Sequence, residues 1–309
     1  RILPIALVNI GVNLNQMYND IFANSIVTHG HPRAIVGALL HGLSLNKIIL
    51  YRSEDFDPIQ FLTQLGNSIE KGLSLNQVQS QEIKDWANRW TKKTGKNFRD
   101  AYDETIQEVL EYLRLVYAQV KNDQLSDQDL LKKIGCYDPA TSGSGVGTVV
   151  AGIYFTLKYS EEPKKAIIKT VNSLGTDTDS IAAFTGGLLG ALHGHNIIPE
   201  AWKQVQDIEY LDKIAEDIHN IGFEDDLPDE TISFSKKDFQ ENKKKAINLL
   251  ENLELEVGST INYLPLGQGE VVDRSIVECF RDGKDTVIYK VQFEEDQLCT
   301  FSYSIDKFK

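Results

Sequence analysis

The chain has 309 residues, of which 41% are hydrophobic and 25% are charged, which is enough for a globular protein of about two domains. Its 45 acidic and 32 basic residues give a formal net charge of −13, and this excess of negative charge argues against binding to bulk nucleic acid. No apolar run reaches the ~18 residues of a membrane span, and the three scattered cysteines form no disulfide framework or metal-binding pair, which predicts reduced thiols and a cytoplasmic protein.

Helical spacing dominates residues 1–222. Pro32 suits the first position of a helix, because proline has no N–H to donate there. Residues 98–120 carry apolar side chains three and four positions apart, as on one face of a helix. Residues 146–158 and 181–193 are apolar nearly all round, which predicts two central, buried helices. The second of these has a ridge of small residues that another helix could approach closely: Ala182, Gly186, Gly190 and Gly194.

The pattern changes after residue 222. Residues 223–234 are acidic and irregular, which predicts a solvated linker. Ser235 and Asp238 resemble a capping box at the start of another helix. Alternating apolar and polar positions then predict strands near residues 270–280, 287–293 and 297–303, with turns at 282–283 and 295–296. We therefore expect a helical domain over 1–222 and a helix with a small antiparallel, barrel-like β module over 235–309.

The segment 176–180, Thr-Asp-Thr-Asp-Ser, carries the clearest chemical signal. Asp177, Asp179 and Ser180 supply two carboxylates and a hydroxyl after a glycine turn and before an apolar helix. Mg²⁺ prefers hard oxygen ligands of this kind. The alternative is that one aspartate only caps the helix, and the sequence leaves both interpretations open.

Two further segments could bind a ligand. Residues 28–34 contain His29 and His31, which could hold zinc with further ligands, contact a pyrophosphate at a helix start, or simply cap the helix. Residues 141–147 form a loop of small residues at a helix start, where backbone amides can approach a ligand. That loop lacks the Gly-Lys-Ser/Thr of a Walker A sequence.

Taken together and in their order along the chain, the three segments resemble the ADP-ribosylglycohydrolase family, the all-α enzymes that remove ADP-ribose from modified targets. The aspartate segment is similar to the family's GDxDT/S-type motif, and residues 198–202, Ile-Pro-Glu-Ala-Trp, are also similar to the family. The resemblance covers about residues 1–222. It implies a mainly all-α, orthogonal helical bundle, to which this chain adds a small C-terminal antiparallel β module.

The resemblance also implies a site with two Mg²⁺ ions beside the scissile glycosidic bond. Asp177, Asp179 and Ser180 fall on metal ligands of the family, and the two aspartates would be the catalytic residues of this chain. His29 falls where the family contacts the phosphates. The substrate loop corresponds to Gly143, Ser144 and Gly145. The implied partner is ADP-ribose or an ADP-ribosylated protein, with arginine-linked ADP-ribose favoured.

The family's other metal ligands, a Thr/Ser-Asp-Asp triplet, do not occur in this sequence. We therefore expect half of the metal site to come from a preceding segment that is truncated, cleaved or supplied by another chain. The leading hypothesis is a Mg²⁺-dependent hydrolase of ADP-ribosyl linkages. The alternatives are a non-catalytic protein that binds ADP-ribose or a protein partner, the latter through the β module, and a zinc hydrolase built on His29 and His31.

Overall fold

A computed structural model describes residues 1–10, 14–75, 80–203, 205, 207–223, 255–263, 266–278, 284–293 and 297–306. The chain folds into two compact units, Arg1–Trp202 and Lys203–Lys309. The first is helical and the second contains a small antiparallel sheet, which confirms the predicted fold class. Among the described helices, none combines the length and the apolar character that crossing a membrane requires.

The helices of the first unit are α1 (Ile2–Val8), α2 (Leu14–Ile26), α3 (Pro32–Ile48), α4 (Pro58–Gly72), α5 (Gln81–Thr94), α6 (Phe98–Asn122), α7 (Asp127–Lys133), α8 (Gly145–Lys158), α9 (Pro163–Val171) and α10 (Thr178–His193). The predicted helix start at Pro32 is confirmed. His31 caps α3, because its Nδ1 accepts from the Arg33 backbone N–H at 3.2 Å. The predicted helix over 98–120 is α6, whose buried face includes Val109, Leu113 and Val116.

Helix α8 lies at the centre of the helical unit. Every residue from 146 to 157 is buried, as predicted. Its first residue, Gly145, packs directly on α3. A Cβ added at Gly37 of α3 would lie 2.4 Å from the carbonyl carbon and oxygen of Gly145, so the two backbones touch at this crossing and leave no room for a side chain.

Helix α10 differs from the prediction. Only one face is buried, and Ala183 and Gly190 are exposed. Its small-residue ridge is also packed less closely than predicted, since a Cβ added at Gly190 would meet nothing within 4 Å and one added at Gly186 would meet only Cδ1 of Ile167, at an ordinary 3.6 Å. The close contact comes instead from Gly152 of α8, where an added Cβ would lie 2.7 Å from the Cβ of Phe184.

The second unit contains α11 (Ile208–Phe223) and a four-stranded antiparallel sheet in sequential order: β1 (Thr260–Tyr263), β2 (Gly267–Glu278), β3 (Lys284–Phe293) and β4 (Leu298–Asp306). Strand β3 buries Val287, Tyr289, Val291 and Phe293, which confirms the predicted alternation. Strand β1 was not predicted. The described strands form an open sheet and not the expected barrel-like one. Among them, β1 pairs only with β2 and β4 pairs only with β3, so the two edge strands do not meet.

Some expectations fall outside the described residues. These are the acidic linker after Phe223, the helix with the capping box at Ser235, and both predicted turns. Of the cysteines that are described, Cys136 is buried and Cys299 is half-buried, and both are free thiols. Burial raises the pKa of Cys136 to about 12, so this thiol stays protonated and unreactive near neutral pH.

Candidate functional site

A cavity of about 480 Å³ opens between α1, α3, α8 and α10 of the helical unit. The three segments singled out in the sequence meet on its wall. His29 lies just before α3, Gly143 and Gly145 lie at the start of α8, and Asp177 and Ser180 lie at the start of α10. Residues far apart in the sequence thus converge on one concave surface of the size typical of small-molecule sites.

The loop before α8 comes very close to the aspartate segment. A Cβ added at Gly143 would lie 3.6 Å from Oδ2 of Asp177. Ser144 is placed differently from its two glycine neighbours, because its hydroxyl caps α8. That hydroxyl accepts from the backbone N–H of Gly147 at 3.4 Å and from Nη2 of Arg33 at 3.2 Å. The glycines therefore face the cavity while the serine holds the loop.

The aspartates sit at the start of α10, after a turn in which Gly175 has a φ of +91°, a conformation that favours glycine. Asp177 occupies the N-cap position, but its carboxylate accepts no cap hydrogen bond of good geometry. Instead it faces the carboxyl group of Asp179 and the hydroxyl of Ser180. The Ser180 backbone N–H still makes a weak capping contact with this carboxyl group, so capping alone does not account for its position beside Asp179.

The two carboxyl groups lie close enough to shift each other's pKa in opposite directions. Burial raises the pKa of Asp177, and the contact with Asp179 raises it further. The hydrogen bond from Asp177 in turn lowers the pKa of the exposed Asp179. Two acids this close repel each other when both are ionised, and a bound cation would relieve that repulsion.

The chemistry of this donor set fits a divalent cation. Asp177, Asp179 and Ser180 offer two carboxylates and a hydroxyl, which are the hard oxygen ligands that Mg²⁺ takes together with water. Within the described ranges, no group of three or more His, Cys, Asp or Glu side chains is placed to hold a metal ion. The set therefore consists of three oxygen-bearing side chains from one turn, and the half metal site stays a prediction.

Among the described residues, no group of three or more His, Cys, Asp or Glu side chains forms around His29 and His31, so the structure brings no further zinc ligands to them. Nδ1 of His31 is committed to the cap of α3, and Nδ1 of His29 lies 2.9 Å from Oγ1 of Thr28. His29 is exposed at the cavity, where it could meet a ligand from solvent.

The structure adds a residue that the sequence analysis missed. His41 lines the cavity, is only 4% exposed, and lies with its ring centroid 4.7 Å from that of Phe184. Its Nδ1 has no hydrogen-bond partner among the described residues, and burial lowers its pKa to about 4. The sequence did contain a signal for His41, because the cavity-lining positions of α3 follow the spacing of one helix face. These positions are Ala34, Gly37, Ala38 and His41.

Comparisons with known proteins agree with the resemblance in the sequence. The family model described as ADP-ribosylglycohydrolase matches residues 1–227. The curated relatives include ADP-ribosylhydrolase ARH3 of Mus musculus, 31% identical over 113 residues, which cover 33% of this chain and 30% of that protein. ARH3 of Bos taurus is 33% identical over 93 residues, covering 26% of this chain and 25% of that protein.

ARH3 of Homo sapiens is 40% identical over 50 residues, which cover 16% of this chain and 14% of that protein. The matched parts thus span less than a third of each relative. No solved structure matches the chain.

Proposed function

Because the chain belongs to the ADP-ribosylglycohydrolase family, we propose that its cavity binds an ADP-ribosyl group and supports hydrolysis of the glycosidic bond that links it to a modified protein. The observation that carries this proposal is the convergence on one cavity of His29, of Gly143 and Gly145 at the start of α8, and of Asp177 and Ser180 at the start of α10. These segments are the ones that resemble the family's substrate and metal motifs.

The diphosphate is the part of the ligand that this geometry suits best. The starts of α8 and α10 open on the same cavity through Gly143, Gly145 and Ser180. Helix starts carry backbone N–H groups that attract phosphate oxygens. Because Gly143 and Gly145 have no side chains, those groups can approach a phosphate closely. His29, exposed beside them, would add a further donor to the phosphates.

The ribose end of the ligand would lie at the aspartates. Asp177, Asp179 and Ser180 would hold Mg²⁺, which when bound orients the substrate and lowers the pKa of a bound water. The fold of this chain holds the Asp177 carboxyl group next to Gly143 and close to that of Asp179. We favour arginine-linked ADP-ribose, because Ser180 and the Ser-Gly-Ser-Gly loop at 142–145 resemble that branch of the family.

The first test is calorimetric titration of ADP-ribose into the protein in Mg²⁺ and in EDTA. Wild type should bind only in Mg²⁺, and Asp177→Asn should lower the affinity by about tenfold or more, as loss of metal-site groups typically does. Asp103→Asn, at an exposed position of α6, is the matched control and should change nothing. Equal affinity of Asp177→Asn and wild type would show that the site is wrongly assigned.

A second candidate function is ADP-ribose binding without hydrolysis. The observation that favours it is the metal donor set, which in the described part of the chain consists of three oxygen-bearing side chains from one turn. Release of ADP-ribose from an arginine-modified protein and from a serine-modified protein separates the two functions. Release that depends on Asp177 supports the hydrolase, whereas binding without release supports the second candidate.

A further inference from the structure

Arg33 joins three elements beside the cavity. From its place in the first turn of α3, its Nη2 lies 2.8 Å from Oε1 of Glu108 in α6 and 3.2 Å from Oγ of Ser144 before α8. The two ion-paired side chains are only 24% and 21% exposed. The hydroxyl of Tyr112 in α6 lies close to this pair, and burial together with Glu108 raises its pKa. A partly buried guanidinium held by a carboxylate in this way has a well-defined orientation.

Ser144, the hydroxyl partner of Arg33, is the residue that anchors the 143–145 loop. The hydroxyl of Ser144 accepts from Arg33 and from the backbone N–H of Gly147 at the same time. Its neighbours Gly143 and Gly145 line the cavity, and Gly143 is the one that faces Asp177. A shift of Ser144 would therefore move the loop backbone relative to the aspartate.

Other contacts hold only part of this loop. Gly145 is fixed by packing, since a Cβ added there would lie 3.0 Å from the carbonyl oxygen of Arg33. On the other side, the Ser144 backbone N–H donates to the carbonyl of Thr141 at 2.9 Å, which is a bond within the loop itself. Among the described residues, the Arg33 side chain thus ties Ser144 to α3 and α6.

We propose that Arg33 is a positioning residue: it holds Ser144, and through it the 143–145 loop, at a set distance from Asp177, while Glu108 orients its guanidinium. The effect on ligand binding rests on the proposed function, whereas the effect on the loop does not. Arg33 itself acts through Ser144 and is not a catalytic residue.

A double-mutant cycle on ADP-ribose affinity tests the role in binding. Arg33→Lys keeps a positive charge opposite Glu108, but its shorter side chain does not place a nitrogen where Nη2 of Arg33 contacts both Glu108 and Ser144. Arg33→Lys and Ser144→Ala should each weaken ADP-ribose binding by about tenfold, as loss of groups that orient a site typically does. The double variant should be no weaker than the weaker single variant, because both changes break the same contact.

If Arg33 only stabilises the fold, the double-mutant cycle gives a different result. In that case both variants would lower the melting temperature and leave the affinity for ADP-ribose unchanged, or the two losses of affinity would multiply in the double variant. Either outcome would overturn the positioning role in binding.

Hydrogen exchange of the ligand-free protein tests the loop directly. The amides of Gly147 and Thr148 bond to Ser144, and Arg33→Lys should speed their exchange by about tenfold while the amide of Val109 in α6 stays as in wild type. Unchanged exchange at Gly147 and Thr148 would overturn the proposal whether or not ADP-ribose binds. If wild type does not bind ADP-ribose, the proposed function fails and the exchange result still decides the role of Arg33.

If Arg33→Lys does not fold, Ser144→Ala supplies the same affinity measurement with the Arg33–Glu108 ion pair intact. The exchange rate of Thr148, whose amide bonds to the backbone carbonyl of residue 144, then reports on the loop. Wild-type affinity and wild-type exchange at Thr148 would overturn the proposal.

Discussion

Helices α8 and α10 have nearly the same apolar character but very different surroundings. In α8, all residues from 146 to 157 are buried. In α10, the buried residues form a single face that includes Ile181, Thr185 and Leu188, and its other positions reach the surface or the cavity. The difference shows that an apolar helix need not be a core helix, because one of its faces can form the wall of a cavity.

The glycines of the two helices give the sharpest test of this comparison. Gly152→Ala in α8 should destabilise the protein by about 3 kcal/mol, the upper end for overpacking a well-filled core. The reason is that the new Cβ would lie 2.7 Å from the Cβ of Phe184 and 3.4 Å from the backbone nitrogen of Thr185. Denaturant unfolding measures the change. If Gly152→Ala lowers the free energy of unfolding by less than the experimental error, α8 and α10 are packed less closely than described.

The pH dependence of stability tests the cavity wall itself. The His41 imidazole has a pKa of about 4 in the folded protein and the ordinary value of 6.5 when unfolded. Its stabilising contribution is therefore present above pH 6.5, and it is lost as the pH falls towards 4, because the unfolded chain takes up the proton first. From pH 7 to pH 5 this group should lower the free energy of unfolding by about 2 kcal/mol.

His41→Phe should remove that part of the pH dependence, since the phenyl ring cannot be protonated. His195→Gln, at an exposed position after α10, should keep the wild-type profile. Chemical unfolding at pH 5, 6 and 7 measures both variants. Identical profiles for wild type and His41→Phe would show that His41 is not enclosed as the structure places it.

A smaller change in stability, of the opposite sign, is expected for a substitution on the open face of α10. Gly190→Ala should stabilise the protein by about 1 kcal/mol, because alanine favours the helix and the new Cβ meets nothing within 4 Å. The variant is read against Gly152→Ala in the same unfolding experiment. Destabilisation by Gly190→Ala would mean that this face of α10 is covered.

Much of the helical unit could be predicted from periodicity and capping. The start of α3 at Pro32 and the burial of α8 follow from local sequence, and so does the placing of Asp177, Asp179 and Ser180 at one turn. Local patterns carry this information because spacing along a helix or strand determines which residues share a face. For the same reason, the alternation of apolar and polar residues over 287–293 correctly predicted strand β3.

What could not be predicted depends on contacts between distant elements. The ridge on α10 was assigned to a helix contact, but whether a partner lies opposite Gly190 is a matter of tertiary packing. The open sheet differs from the predicted barrel because strand alternation does not specify whether the two edge strands pair. The link from Glu108 through Arg33 to Ser144 joins three helices, and no spacing within the sequence reveals it.

We propose that His29, the 143–145 loop and the aspartates of α10 form one site for an ADP-ribosyl group and a divalent cation. A crystal structure of the protein grown with ADP-ribose and Mg²⁺ is the decisive measurement. We expect the diphosphate beside Gly143 and His29, with the cation on Asp177, Asp179 and Ser180. Ligand bound elsewhere, or the three oxygen donors bonded only to neighbouring amides while ADP-ribose occupies another surface, would contradict it.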